Sequence, residues 1–372
     1  MNPQPATGNG NGNGKEIRVL LVDDSSISLE FMRRMLASAA EINVVGTARD
    51  GLEALELIPR LRPDVMCTDL HMPKMDGLAL TREVMARDPM PILVLSISLQ
   101  AQQQDNIFRM LEAGALDILA KPRGGLDSDF SATAKDLIQK IRILSGVKVI
   151  RRHHAKTAAA PMPVPSVPLS RMSSPDIIGI GASTGGPQAF EHILAKLPAD
   201  FPLPLLCVQH IAQGFMPGLV SWLASTSRIR VTTAIEGTPP QAGTAYFPAD
   251  NRHLEIDSNG LFRCSSGLPV GGHRPSVDMA FSSLARRYGA AAAGVLLTGM
   301  GQDGARGLLD IERAGGLTIA QDEGSSVVFG MPKCAIELGA ARHVLPLERI
   351  GTTLCDLAAR AAPSKWRDRN AG

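Results

Sequence analysis

The sequence predicts an α/β protein made of two doubly wound parallel-sheet domains joined by a Pro-rich linker, and three observations predict it. Short apolar runs alternate with helix-period stretches through residues 17–146 and again from Asp176, the rhythm of parallel strands joined by crossover helices. Between the two halves the composition turns to Ala, Pro and Ser. In each half, reactive residue types stand where apolar runs end, and that is the edge on which such sheets bind ligands.

Residues 1–16, rich in Asn, Gly and Pro, are too polar to pack and read as a disordered tail. Residues 17–146 then give five strand–helix units. IRVLLVDD precedes SSISLEFMRRMLASA, INVVGTARD precedes GLEALELIPRL, and DVMCTDL precedes GLALTREVMAR. PILVLSI is followed by a helix through NIFRMLEAG, and LDILAKP by a helix from Ala132 to Leu144. Over 147–174, RRHHAK gives way to AAAPMPVPSVPLSRMSSP; proline denies this stretch helix and ladder alike, so it reads as a semi-extended, solvated linker.

The second domain, 175–362, starts with the strand of IIGIGASTGG and the helix QAFEHILAKL. PLPLLCVQH is a strand ending at His210, and FMPGLVSWLAST a helix. Residues 229–264 (IRVTTAIEG, GTAYFPAD, RHLEID, LFRCS) are short and β-rich, suggesting an antiparallel insertion or edge in an otherwise Rossmann-like sheet. The helix SVDMAFSSLARRYG, the strand of AAAGVLLTGMGQDG, a helix from Ala305 to Ala314, the strand LTIAQ, a short helix near PKCAIELG and HVLPL complete it, with 363–372 a frayed tail.

Composition narrows the function. Hydrophobic residues at 44% and charged residues at 20% describe a soluble chain with a sizeable core. A net charge of +2, with two Trp and two Tyr, gives no basis for nucleic-acid binding. No apolar run approaches spanning length and no signal-peptide order opens the chain. Five dispersed cysteines without a CxxC pair suggest reduced thiols. A cytoplasmic protein, not inserted in a membrane and monomeric, is the expectation.

In the first domain Asp23 and Asp24 end the first strand, Asp69 the third, Ser96 the fourth and Lys121 the fifth. Clustered carboxylates need a hard cation, so Asp23, Asp24 and Asp69 form a candidate Mg²⁺ site. Asp69 can then attack a phosphoryl group, with Ser96 and Lys121 holding the new oxygens. LLVDDS, TDLHMPKMDG and AKP make residues 17–145 resemble the response-regulator receiver family. The resemblance implies Asp69 as phosphoacceptor, a histidine kinase as phosphodonor and the His71 carbonyl as a further Mg²⁺ ligand. One departure is Ile118, three residues before Lys121, where that family carries an aromatic side chain.

In the second domain Ser183 lies in a tight Gly-rich strand-to-helix turn, suited to a nucleophile near a helix N-terminus or, equally, to a helix cap. A nucleophilic Ser needs a base and the base an orienting acid. His210 and Asp303, both following strands, can converge on Ser183; His192, His253 and His273 are weaker bases, and the run His273-Arg274-Pro275-Ser276 is a candidate pocket lining. GIGASTGGP, VQH, HRPSVD, LTGMGQDGA and VVFGMPK make residues 177–357 resemble the catalytic domain of the chemotaxis protein-glutamate methylesterases. That resemblance implies Ser183 as nucleophile, His210 as base, Asp303 as orienter and the Thr184 and Met300 N–H groups as oxyanion donors. It implies no cofactor for hydrolysis. The implied substrate is a glutamate methyl ester on a methyl-accepting chemoreceptor, with receptor glutamine as a second one.

A rival reading, a receiver-controlled dinucleotide-binding or non-catalytic output domain, starts from Gly179-Ile180-Gly181. Thr184 stands where the third glycine of GxGxxG belongs, and Asp200 follows Pro198-Ala199 rather than ending a second strand. On control, a linker of about 27 residues spans roughly 25–30 Å as a coil, which allows the unphosphorylated first domain to cover the Ser183 edge.

Overall fold

The computed structural model describes residues 16–96, 101–121, 128–147, 149 and 174–359. The tail at 363–372, and nearly all of the 1–16 tail and the 147–174 linker, lie outside the described residues.

In the first domain β1 (Ile17–Val22), α1 (Ser26–Leu36), β2 (Ile42–Ala48), α2 (Gly51–Leu61), β3 (Val65–Asp69), α3 (Gly77–Arg87), β4 (Ile92–Ser96), α4 (Ala101–Glu112), β5 (Asp117–Ala120) and α5 (Ser128–Ser145) alternate as expected. Helix α5 starts four residues earlier than the Ala132 read from the sequence. The strands pair in parallel in the order β2-β1-β3-β4-β5. Strands β3 and β4 are buried on both faces, which is why they read as unbroken apolar runs. The helices start where short polar side chains turn back on the backbone. Ser25 caps α1, Asp50 accepts from the N–H groups of Leu52 and Glu53 at the head of α2, and Asp76 caps α3.

The second domain comprises β6 (Ile177–Ala182), α6 (Gly186–Leu194), β7 (Leu205–Gln209), α7 (Met216–Thr226), β8 (Arg230–Thr233), β9 (Thr244–Phe247), β10 (His253–Ile256), β11 (Phe262–Ser265), α8 (Val277–Tyr288), β12 (Ala292–Leu296), α9 (Ala305–Arg313), β13 (Leu317–Gln321), α10 (Met331–Glu337), β14 (His343–Leu345) and α11 (Leu347–Ala358). Its sheet runs β14-β13-β12-β6-β7-β9-β8, parallel throughout. The β-rich stretch therefore divides. Strands β8 and β9 extend the main sheet in parallel, joined by the connection from Ala234 to Gly243. Only β10 and β11, joined by a tight turn at Asp257–Gly260, form an antiparallel pair. Helix α11, not recognised in the sequence, packs its buried Ile350, Leu354 and Leu357 toward α6.

Strand order reverses between β6 and β12, so chain leaving β6, β7 and β12 opens onto one crevice. The two domains meet at that crevice. Phe108 on α4 stacks on Trp222 of α7, ring centroids 5.5 Å apart and planes 16° apart, and Trp222 Nε1 donates to Glu112 at 2.5 Å. Both rings are almost wholly buried, and their apolar area gives the contact most of its strength.

Candidate functional site

Ser183 follows β6 and its N–H donates to the Thr298 carbonyl at 3.0 Å, tying the β6 and β12 loops together. The cap of α6 is Gly185, with φ 77°, a left-handed conformation that favours glycine. Ser183 is thus not the helix cap, and its hydroxyl is left for chemistry. The second glycine of the dinucleotide reading has another use. A Cβ on Gly181 would stand 2.2 Å from Val277 Cγ1, so this glycine admits α8 against the sheet.

His210 follows β7, its N–H held by the Ala182 carbonyl at 3.0 Å. Its Nε2 meets Asp303 Oδ2 at 2.8 Å, and its Nδ1 is buried without a hydrogen-bond partner among the described residues. Nδ1 is therefore the ring nitrogen left free by the contact with Asp303. Serine and imidazole share no hydrogen bond here, as is common in unliganded sites. The His273 ring lies over His210, centroids 4.0 Å apart and planes 2° apart. Burial first, and then the neighbouring His210, bring the His273 pKa down to about 4 against the pull of Asp303, so at neutral pH the stacked ring is uncharged.

Asp303 is 5% exposed and accepts from the Ser276 hydroxyl (2.8 Å), the Val277 N–H (2.7 Å) and the Asp278 N–H (3.0 Å) besides His210. Burial alone would raise its pKa, but the hydrogen bond and charge of His210 and the backbone N–H groups outweigh that and hold it below the usual carboxylate value. Ser276 was legible in the sequence as part of HRPSVD but not as a buttress for the acid. It also caps α8 through Met279 N–H, and one hydroxyl does both jobs.

Thr184 and Met300 flank Ser183 from the β6 and β12 loops. Neither backbone N–H has a hydrogen-bond partner among the described residues. Both side chains touch the first domain: the Thr184 hydroxyl donates to Asp117 Oδ2 at 2.8 Å, and Gln139 Nε2 approaches Met300 Sδ at 3.2 Å. Gln188 on α6 donates to the Ala115 carbonyl at 2.7 Å. No sequence pattern marked Asp117 or Gln139, because their partners lie in the other domain.

A pocket candidate, Arg274, and a weaker base candidate, His253, make other contacts. Arg274 donates to Asn251 Oδ1 and to the Ser266 and Gly267 carbonyls, so its guanidinium braces a neighbouring loop. His253 is fully buried, with Nε2 at the Leu268 carbonyl and Nδ1 accepting from Ser276 N–H. Neither is placed to take a proton from Ser183.

On the first domain's edge, carboxylate oxygens of Asp23, Asp24 and Asp69 lie within 4.8 Å of one another. Lys121 Nζ bridges Asp23 at 2.8 Å and Asp69 at 2.6 Å. Asp69 also accepts from Leu70 N–H at 2.7 Å. Burial raises the Asp69 pKa even against Lys121, with Asp23 adding to the rise. Three oxygen donors, two buried and one open to solvent, with a single lysine to balance them, fit a hard divalent cation such as Mg²⁺. Ser96 is buried at the end of β4, where its carbonyl accepts from Lys121 N–H at 2.8 Å. Ile118 is buried in β5, and its neighbour Asp117 carries the polar contacts, to Lys140 and across to Thr184.

Comparison with known proteins assigns a family to each domain. Residues 178–354 match the CheB methylesterase family and residues 19–126 the response regulator receiver domain. A Geobacter metallireducens protein named protein-glutamate methylesterase/protein-glutamine glutaminase 4 is 43% identical over 345 residues, covering 92% of this chain and 99% of its own. A Myxococcus xanthus protein of the same name is 41% identical, covering 91% and 96%. Among solved structures, the Thermotoga maritima CheB methylesterase catalytic domain is 38% identical over 50% of this chain and all of its own, at a TM-score of 0.48.

Proposed function

This chain belongs to the protein-glutamate methylesterase/protein-glutamine glutaminase family, a receiver followed by a methylesterase domain, and from that premise we propose that it hydrolyses by a serine mechanism under receiver control. Ser183 Oγ attacks the γ-carbonyl carbon of a glutamate methyl ester on a chemoreceptor. Its proton passes to His210 Nδ1, and Asp303 steadies the resulting imidazolium. The Thr184 and Met300 N–H groups hold the oxyanion. His210 returns the proton to the departing methoxide, methanol leaves, and a water deprotonated by His210 releases the glutamate. With glutamine the leaving group is ammonia. The observation that carries this reading is the His210 ring, anchored to Asp303 at 2.8 Å with its other nitrogen buried and unpartnered.

Asp69 accepts a phosphoryl group from a histidine kinase, and Asp23, Asp24 and Asp69 would hold Mg²⁺. When bound, the ion neutralises charge on the phosphoryl oxygens. Lys121 and Ser96 pair with those oxygens. The contacts of Asp117 and Gln139 with Thr184 and Met300 support occlusion of the catalytic edge by the unphosphorylated receiver. A change of about 1–3 kcal/mol in that interface shifts the open population five- to 150-fold. The protein works in the cytoplasm as a monomer; among the described residues no helix is long and apolar enough to cross a membrane.

A serine-directed phosphonate should label Ser183 stoichiometrically, and Ser183→Ala should stop methanol release from methylated receptor. Near-wild-type turnover by Ser183→Ala would assign the nucleophile elsewhere.

A further inference from the structure

A groove of ≈ 650 Å³ runs along the outer face of the catalytic domain between α8 and α9. Met279, Ser282 and Arg286 line it from α8; Arg306, Leu309 and Arg313 line it from α9. Both sets follow the three-then-four spacing that puts side chains on one helix face, so two parallel stripes frame a trough. From Arg306 to Arg313 the trough is about 10 Å long, or two helical turns. A furrow between two packed helices is the shape into which a third helix fits.

Its chemistry is one-sided. The acids are engaged: Glu255 pairs with Arg286 at 3.5 Å, Asp310 accepts from the Ser282 hydroxyl at 2.6 Å, and Asp278 Oδ1 accepts from the N–H groups of Gly304 and Gly307 at 2.8 Å each. Arg306 and Arg313 make no ion pair among the described residues and face solvent. Apolar residues border them: Leu268 is 87% exposed on the adjoining loop, and Val270 and Leu338, on the groove wall, are 38% and 45% exposed. The groove is continuous with the catalytic centre, because Val270, Asp278 and Arg306 also line the cavity that holds His273 and Asp303. Among the described residues, the contacts of the receiver cited above fall elsewhere, on α6, α7, Thr184 and Met300.

We infer that this groove seats an acidic amphipathic helix of the protein substrate, beside the one side chain being hydrolysed. The inference rests on the reading of the substrate as a protein ester. Unpaired arginines take the carboxylates flanking the ester, and Leu309, Leu338 and Val270 take the helix's apolar stripe. Docking is then separate from chemistry: the helix binds on one side of the crevice while the receiver controls the other.

The test measures methanol release from the methylated receptor cytoplasmic domain by full-length protein. Arg313→Glu and Leu338→Asp, both at exposed positions, should each raise KM at least tenfold with kcat within twofold of wild type. Arg349→Glu, on α11 away from the groove, should keep the wild-type KM. A small phosphonate reaches Ser183 without filling the groove, so its labelling rate reports the catalytic centre alone. Groove variants with KM within twofold of wild type and normal Ser183 labelling would overturn the docking assignment. Failure of wild-type protein to label at Ser183 would instead count against the serine-esterase reading.

Discussion

Asp69 ends β3 and Asp303 lies in the loop after β12, both strands beside the switch points of two parallel sheets, and they are 8% and 5% exposed. Their pKa values nonetheless move apart: Asp69 up, Asp303 down. Burial pushes both up, so the neighbours decide. Asp303 receives four donors, one of them the His210 imidazole. Asp69 has Leu70 N–H and a lysine it must share with Asp23, whose own charge opposes it. A fully satisfied carboxylate is fixed and inert, suited to holding a base. An under-satisfied one keeps its nucleophilic oxygen and calls for a cation. One edge geometry thus holds two different carboxylate environments, set by the number of N–H and O–H groups aimed at each acid, and the proposed division of roles rests on that difference.

The same substitution at both acids separates these roles. Asp303→Asn should lower kcat for methanol release by about 10²–10⁴-fold, with KM nearly unchanged and the fold intact by circular dichroism. Asp69→Asn should leave unstimulated turnover at the wild-type level and abolish the response to Mg²⁺ and acetyl phosphate, a response of five- to 150-fold on the coupling expected above. If Asp303→Asn were nearly silent, or Asp69→Asn lowered unstimulated turnover as severely, the division between orienter and acceptor would collapse.

A smaller effect tests the contact between the edges. Phe108→Ala removes the ring stacked on Trp222 and should raise unstimulated turnover about five- to 20-fold by releasing the receiver. Phosphorylation should then add correspondingly less. An unchanged unstimulated rate would mean that this stack does not hold the edge covered.

The smallest expected effect is on stability against pH. His273, depressed to about 4 by burial and His210, refuses in the folded state a proton that the unfolded chain accepts below about pH 6.5. Its contribution is fully present above that value and is lost as pH falls toward 4. His343, lowered by burial and by Arg342, acts in the same direction. Allowing for screening of a partly exposed ring, the His273 loss is about 1–2 kcal/mol. Urea unfolding at pH 7.5 and 4.5 should show it, and His273→Asn should reduce the drop.

Much of this was legible in the sequence wherever function needs residue types close together in the chain. Ser183 stands in a run of glycines after an apolar strand, and Asp23, Asp24, Asp69 and Lys121 each end one. Less was legible where the partner is remote. Parallel pairing of β8 with β9 depends on a crossover that local alternation does not encode. The buttressing of Asp303 by Ser276 joins residues 27 positions apart, and Asp117 meets Thr184 across a linker that says nothing of docking. The three acceptors of Arg274, on Asn251, Ser266 and Gly267, lie too far from it in the chain for local spacing to mark them.

Thr184 and Met300 meet the receiver through their side chains, while the groups proposed to hold the oxyanion are their main-chain N–H groups. Every residue except proline carries that N–H. Mutation at these two positions can therefore tighten, loosen or re-target the grip of the receiver without rewriting the oxyanion site. On the occlusion proposed above, the strength of inhibition would in this sense be an adjustable trait, separable from the chemistry beneath it.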